Sequence, residues 1–265
     1  MTDSRNVADF LGEDGCLRCG VCGKRKQLRI NFMGRDRVVG CLCECEAQAR
    51  KEKEEQLRRE EAQRELYQRK SVGLRDRRFW EWRFENDNGS NDKMLIARQY
   101  AKYWEKMKKE NVGLLLMGPV GTGKSFFAGC IANALLEQGE RVMMTNFSRI
   151  LNEMTNYQAD KNQIVQNLVD YPLLIIDDLG IERNSEFALE QIYNVIDSRY
   201  CKMKPLIITT NLGLNDMKDE ALDVAHKRIY SRILEMCVPV YCGGADKRRE
   251  EGTEKLGRMQ SLISG

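Results

Sequence analysis

Histidine is nearly absent from this sequence, which has only His226 among its 265 residues. A single imidazole excludes histidine-rich metal sites and any serine–histidine–aspartate triad built on another histidine. The longest apolar stretches, residues 112–117 and 173–176, fall far short of the roughly 20 residues that span a bilayer. The first fifteen residues contain no apolar segment typical of a secretory signal. We therefore expect a cytoplasmic protein without a membrane partner.

The net charge of the chain is also small. The 43 lysines and arginines exceed the 40 aspartates and glutamates by only three. This excludes a global basic field, so any nucleic-acid binding must come from local patches. The chain is 42% apolar with 21 glycines and 4 prolines, a composition typical of globular domains.

Cysteine, in contrast, is concentrated in one place. Six of the ten cysteines lie between positions 16 and 45, spaced Cys-x2-Cys-x2-Cys and, eighteen residues later, Cys-x-Cys-x-Cys. In a chain without a secretory signal such clusters indicate a metal site, and two thiolates from each of two knuckles suit tetrahedral zinc. The predicted zinc ligands are Cys19, Cys22, Cys43 and Cys45, with Cys41 as a substitute, and an iron–sulfur cluster is the alternative. The predicted buried thiols are Cys130, Cys201, Cys237 and Cys242.

Composition divides the chain into three zones, which predict a zinc-binding module at residues 1–45, a charged connecting helix at 46–75 and a larger domain at 76–265. The run from 44 to 70 has no glycine or proline, and 16 of its 27 residues are charged. Acidic residues precede basic ones by four positions, as in Glu55 and Arg59, which favours an exposed helix.

The third zone predicts an α/β fold, because five short apolar runs alternate with helical segments. Such runs are typical of a buried, mostly parallel sheet with helices on both faces. The predicted strands are 112–117, 141–145, 173–177, 205–210 and 237–241, and the predicted helices are 93–110, 124–138, 148–169, 185–199 and 225–236.

A glycine-rich motif follows the first of these strands and opens a helix. It comprises Gly118, Pro119, Val120, Gly121, Thr122, Gly123, Lys124 and Ser125. Its glycines let main-chain N–H groups turn inward around a phosphate, and the helix N-terminus adds partial positive charge. Lys124 can reach the β- and γ-phosphates of a nucleotide, and the hydroxyl of Ser125 can bind Mg²⁺.

Polar residues end two further strands. Asp177 and Asp178 follow four apolar residues, 53 positions after Lys124. At the carboxyl end of a parallel strand, Asp177 would hold Mg²⁺ and Asp178 would polarise the attacking water. Asn211 ends the next strand and is suited to orient that water.

Four arginines are candidates for stabilising charge on a γ-phosphate from a neighbouring subunit. Arg228 and Arg232 lie four apart, hence on one helical face. Arg199 ends a predicted helix, and Arg248 follows the last strand. A surface salt bridge is the alternative for each.

Four runs in this order make the chain resemble the DnaC/DnaI-type helicase loaders, including phage-encoded relatives. They are Leu174-Ile-Ile-Asp-Asp-Leu-Gly, Ile196-Asp-Ser-Arg-Tyr, Ile208-Thr-Thr-Asn-Leu and Arg228-Ile-Tyr-Ser-Arg-Ile-Leu-Glu-Met-Cys. The resemblance covers residues 76–250 and implies an AAA+ P-loop ATPase fold. Two departures are an Asp-Asp where most AAA+ proteins have Asp-Glu, and only 24 residues after Tyr241. The second implies a reduced or absent helical lid.

The resemblance also implies roles. Lys124 and Ser125 belong to Walker A, whose nucleotide-binding residues extend to Phe126; Asp177 and Asp178 form Walker B. Asn211 corresponds to sensor 1, Arg232 or Arg228 to the arginine finger, and Arg248 lies near sensor 2.

The function implied is a loader that places a replicative hexameric helicase on single-stranded DNA and hydrolyses ATP between its own subunits. The cofactors are ATP, Mg²⁺ and Zn²⁺, and the zinc module and charged helix would hold the helicase. One alternative is an IstB-like transposition helper ATPase, and another is a zinc-ribbon adaptor with a static ATP site. Residues 146–148 are a candidate DNA-contacting loop.

Overall fold

The computed structural model describes residues 8–87, 89, 93–155, 160–180, 185–244 and 246–263, with only the backbone at 247–251 and 254. Two compact units, residues 1–65 and 66–265, make up the chain. The boundary between them lies inside the first helix, α1 (Glu44–Gly73). None of the helices in these ranges combines the length and apolar character that crossing a membrane demands.

The first unit contains two small antiparallel sheets. These pair β1 (Phe10–Leu11) with β2 (Leu17–Arg18), and β3 (Gln27–Phe32) with β4 (Arg35–Gly40). Met33 and Gly34 join β3 to β4 and both have positive φ, 53° and 74°. Two such residues form the tight turn whose twist matches that of the flanking strands.

The charged helix predicted at 46–75 corresponds to α1, which spans Glu44–Gly73. Ion pairs with i,i+4 spacing line its surface, including Arg50–Glu54 at 2.9 Å and Glu55–Arg59 at 3.8 Å. In the second unit, α1 ends against the large sheet, where Leu74 forms a parallel bridge to Met144.

The second unit is built on the five-stranded parallel sheet that the apolar runs predict. Its strands are β5 (Gly113–Met117), β6 (Val142–Thr145), β7 (Leu173–Leu179), β8 (Leu206–Thr210) and β9 (Cys237–Tyr241). Their order across the sheet is β6-β7-β8-β5-β9, and every pairing is parallel. The α/β fold is therefore confirmed.

Helices cover both faces of this sheet. They are α2 (Met94–Lys102), α3 (Trp104–Lys109), α4 (Lys124–Glu137), α5 (Phe147–Met154), α6 (Lys161–Val169), α7 (Glu186–Cys201), α8 (Leu214–Met217), α9 (Val224–Met236) and α10 (Lys247–Ile263). One apolar core joins α2 and α4 to one face, and a second joins α5, α6, α7 and α9 to the other.

Two predicted helices are wrong in extent, because each is divided. The 93–110 segment is α2 and α3, separated at Tyr103, whose ψ of 29° departs from the helical range. The 148–169 segment is α5 and α6. Asp160 caps α6 by accepting a hydrogen bond from the Gln163 N–H at 3.1 Å, so a new helix starts there.

The strand order brings the three polar motifs to one edge of the sheet. β8 lies between β7 and β5, and all three strands run in the same direction. Their carboxyl ends therefore meet, which is where parallel α/β sheets bind their ligands.

Candidate phosphate-binding site and cysteine cluster

The loop between β5 and α4 has the backbone of a phosphate-binding turn. Gly118, Gly121 and Gly123 all have positive φ, at 141°, 82° and 87°. Only glycine adopts such angles without strain, and they turn successive N–H groups toward one point. Helix α4 begins directly at Lys124, so its N-terminus faces the same region.

Lys124 joins this loop to the end of β8. Its side chain is buried, and its Nζ donates hydrogen bonds to Gly118 O at 2.8 Å and to Pro119 O at 2.7 Å. A third bond goes to Asn211 Oδ1 at 2.8 Å. The structure thus brings together two predicted site residues that are 87 positions apart in the chain.

The other loop residues differ in exposure. Thr122 is buried and its hydroxyl donates to Pro119 O at 3.0 Å, which holds the turn. Val120 is 54% exposed, while Ser125 and Phe126 in the first turn of α4 are half-buried. The Phe126 ring lies 6.2 Å from that of Trp82, so it packs at the base of the loop.

A threonine that sequence reasoning missed holds the two aspartates. Thr209 Oγ1 donates to Asp177 Oδ1 at 2.7 Å and accepts from the Asp178 N–H at 2.8 Å. The pairing of β7 with β8 shifts register between Ile176 and Leu179, and Asp178 has a φ of 58°. This bulge re-aims the side chains at the strand end, as bulges beside active sites do. The only signal in the sequence was a pair of threonines at the end of an otherwise apolar strand.

The donor set fits a magnesium–nucleotide. Carboxylate and hydroxyl oxygens are the ligands that Mg²⁺ prefers, and Asp177 and Ser125 supply one of each at this edge of the sheet. The loop N–H groups and the Lys124 ammonium supply positive charge for phosphate oxygens.

The candidate arginines of α9 pack against α7. Arg232 forms an ion pair with Asp197 at 2.7 Å, and its guanidinium lies 4.8 Å from the centre of the Tyr193 ring. Arg228 is exposed, lies 4.4 Å from the same ring and donates to the Tyr193 hydroxyl at 2.7 Å. Arg248 lies in α10, and its side chain falls outside the described residues.

Arg199 is wrong as a candidate for a trans-acting arginine, because it is fully buried. Its guanidinium donates to four main-chain carbonyls, those of Val169, Tyr171, Pro172 and Pro205. Burial lowers the pKa of this side chain. Its role is to tie the turn before β7 to the start of β8.

Residues 146–148 form the start of α5 and not a loop, and their contact with DNA stays a prediction. Phe147 is buried in the core, and Asn146 caps α5 by accepting from the Arg149 N–H at 2.9 Å. Their polar and aromatic character serves the start of a helix.

The first unit contains a cluster of four thiols. The Sγ atoms of Cys19, Cys22, Cys43 and Cys45 all lie within 4.8 Å of one another. Zinc–sulfur bonds of about 2.3 Å in a tetrahedron place sulfurs about 3.8 Å apart. The observed 3.5 Å for Cys19–Cys45 and 3.2 Å for Cys43–Cys45 are near that spacing, so the donor set fits zinc.

The two pairs of thiols have different local structures. Cys19 and Cys22 lie on a knuckle after β2, where the Gly23 N–H donates to Cys19 O at 2.8 Å. Hydrogen bonds from main-chain N–H groups lower the pKa of Cys22 to about 6. The spacing predicted a second knuckle for Cys43 and Cys45, but the two residues lie at the N-terminus of α1. Burial raises the pKa of the Cys43 thiol. The thiol of Cys41 contacts Arg25 O instead, at 3.6 Å.

Comparison with known proteins relates the chain to one family. The family described as IstB-like ATP binding protein matches residues 33–254. The replicative helicase loader DnaC of Escherichia coli is 27% identical over 133 residues, 49% of this chain and 53% of that protein. A protein in an insertion sequence of Mycobacterium tuberculosis is 30% identical over 105 residues, 39% of this chain and 42% of that protein. The chain thus spans about half the length of the curated relatives that it matches.

The crystal structure of DnaI has the same fold. It matches with a TM-score of 0.55 and 20% identity, over 66% of this chain and 95% of that one. This likeness is one of fold.

Proposed function

The chain belongs to the family of IstB-like ATP-binding proteins, and from that membership we propose that it hydrolyses ATP to place a replicative hexameric helicase on single-stranded DNA. Homology to DnaC supports a loader role at the level of the family. The observation that carries the proposal is the junction at the sheet edge, where Lys124 bonds to Asn211 and Thr209 holds Asp177.

In this proposal the loop from Gly118 to Gly123 donates N–H groups to the phosphates of ATP, and Lys124 contacts the β- and γ-phosphates. Ser125 and Asp177 hold Mg²⁺, which supplies charge neutralisation on the phosphate oxygens. The remaining roles fall to Asp178, which polarises the attacking water, and Asn211, which orients it.

The last catalytic group in this proposal is an arginine that a neighbouring copy of the chain supplies. We assign Arg232 to the γ-phosphate of a neighbouring copy, with Arg228 as the alternative and Arg248 near the nucleotide of its own copy. The ion pair to Asp197 and the Tyr193 ring restrict the directions that the Arg232 guanidinium can take. A pre-oriented arginine loses little conformational entropy when it meets a phosphate.

We assign helicase binding to the amino-terminal module, residues 1–45. Its four clustered thiolates hold zinc as a closed structural site. One face of the β3–β4 hairpin carries the exposed side chains of Leu28, Ile30 and Phe32, and the directly paired Arg35 and Arg37 share that face. Apolar, aromatic and arginine side chains without lysine or glutamate are typical of protein interfaces. We propose this face as the helicase contact.

A pull-down with the full chain against host lysate tests the partner. Recovery of the hexameric helicase is the expected result, and Ile30→Asp should abolish it while Asn31→Asp, on the opposite hairpin face, should not. Recovery of no helicase, or equal recovery by both variants, would contradict the assignment.

The second candidate is a transposition helper, which the family description and the insertion-sequence relative favour. It predicts binding to a transposase and to double-stranded DNA. If ATP binds tightly without turnover, the chain is instead an adaptor with a static site.

A further inference from the structure

One tyrosine of α7 contacts two arginines of α9. The centre of the Tyr193 ring lies 4.4 Å from the guanidinium carbon of Arg228 and 4.8 Å from that of Arg232. The two arginines are one helical turn apart on the same face, where like charges repel each other. The negative face of an aromatic ring attracts cations and offsets this repulsion. Tyr193 therefore keeps side by side two charges that the helix alone would drive apart.

The two guanidinium groups differ in what their contacts do to their charge. Arg232 pairs with the carboxylate of Asp197 at 2.7 Å, which cancels part of its positive charge. Arg228 is exposed and donates a hydrogen bond to the Tyr193 hydroxyl at 2.7 Å. Because this hydroxyl is neutral, the bond orients the Arg228 guanidinium without cancelling its charge. An oriented, exposed guanidinium is suited to bind phosphate, since little conformational entropy remains to be lost.

A second tyrosine of α7 shows how the same two helices are joined without an arginine. Tyr200 is also half-buried, and its hydroxyl donates to the Glu235 carboxylate of α9 at 2.8 Å. A hydroxyl on α7 can thus hold α9 through a carboxylate. Packing of the two helices therefore accounts for a tyrosine at position 193, but it does not account for two arginines on one ring.

We propose that Tyr193 is a positioning residue that presents Arg228 together with Arg232, as one two-arginine group, to the γ-phosphate on a neighbouring copy. The inference rests on the proposed ATPase and deepens it, because Arg228 acts with Arg232 and not in place of it. Tyr193 acts through the arginines: its hydroxyl fixes Arg228, and its ring holds both guanidinium groups.

The test is steady-state ATP hydrolysis by the full chain with Mg²⁺. Tyr193→Phe keeps the ring and removes the hydrogen bond to Arg228, so kcat should fall about tenfold while KM for ATP changes by less than about twofold. The matched control is Tyr200→Phe, which removes a hydroxyl bond between the same two helices and should leave kcat within about twofold of wild type.

A double variant separates positioning from packing. Arg228→Ala alone should also lower kcat by about tenfold, since it removes one of the two charges that meet the phosphate. In the Arg228→Ala background, Tyr193→Phe should cause no further loss, because the hydroxyl acts through Arg228. A role of the hydroxyl in packing would instead add its own loss to that of Arg228→Ala.

Four results would overturn the inference while wild-type hydrolysis is intact: unchanged kcat in Tyr193→Phe, unchanged kcat in Arg228→Ala, an equal loss in Tyr200→Phe, or additive losses in the double variant. Absence of hydrolysis by the wild-type chain would overturn the proposed ATPase, and the inference with it. Melting temperatures of Tyr193→Phe and Tyr200→Phe, expected to match, show that both variants retain the fold.

Discussion

The Nζ of Lys124 and the Oδ1 of Asn211 lie 2.8 Å apart, which joins the phosphate-binding loop to the end of the neighbouring strand. Since β8 is paired with both β5 and β7, the same strand end also contacts the two aspartates through Thr209. The end of β8 thereby contacts both the phosphate-binding loop and the aspartate pair of the proposed site.

The first prediction separates nucleotide binding from hydrolysis. Lys124→Ala should abolish ATP binding, because the ammonium is the cation that reaches the phosphates. Asp178→Asn should keep binding and lose turnover, since that residue is assigned to the attacking water. Equilibrium titration measures ATP binding, and phosphate release measures turnover. Normal hydrolysis by Asp178→Asn would show that the assignment is wrong.

The second prediction concerns Thr209. Thr209→Val keeps the shape of the side chain but removes both hydrogen bonds to the aspartate pair. We expect turnover to fall about tenfold or more, since misplaced metal and water ligands lose transition-state stabilisation. Thr210→Val is the control: its hydroxyl donates to Leu179 O and not to the aspartates. Equal losses in both variants would indicate a general effect on the strand.

The third prediction concerns metal. Purified protein should contain about one zinc per chain, because four thiolates complete a closed site. Cys43→Ser should lose the metal, and Cys41→Ser should retain it, because the Cys41 thiol contacts a carbonyl outside the cluster. Elemental analysis decides; iron with visible charge-transfer absorption would contradict zinc.

The fourth prediction tests the arginine on α9. Arg232→Ala should cripple hydrolysis and leave ATP affinity little changed, since arginine fingers contribute about 10³–10⁵ in rate. Mixing it with Lys124→Ala should restore partial activity, because one copy donates the finger and the other an intact loop. No recovery in mixtures that sedimentation shows to co-assemble would leave Arg228 as the candidate.

The fifth prediction concerns stability. Arg199→Met should leave four main-chain carbonyls, two of them in buried hydrogen bonds, without their donor and lower the free energy of unfolding by about 3 kcal/mol. Arg141→Met, at an exposed arginine stacked on Tyr171, should change it by less than about 1 kcal/mol. Thermal unfolding of the two variants measures the difference; similar melting temperatures would contradict the structural role.

The amino-acid sequence determined the fold class and the order of the motifs. The five strands were readable as apolar runs, which a parallel sheet covered on both faces needs, although the edge strand β9 is partly exposed. The glycines of the loop are required by its backbone angles. The strand predicted at 173–177 was too short by two residues, because a bulge at Asp178 lets β7 continue to Leu179.

Only the tertiary structure decided what the isolated polar residues do. Arg199 and Arg232 look alike along the chain, yet one is fully buried among carbonyls and the other is partly exposed between an aspartate and a tyrosine. Likewise, the role of Thr209 depends on the neighbouring strand β7, which carries both aspartates and comes from a distant part of the sequence. Burial and the direction of a side chain depend on contacts between remote segments, and local sequence patterns carry no information about those contacts.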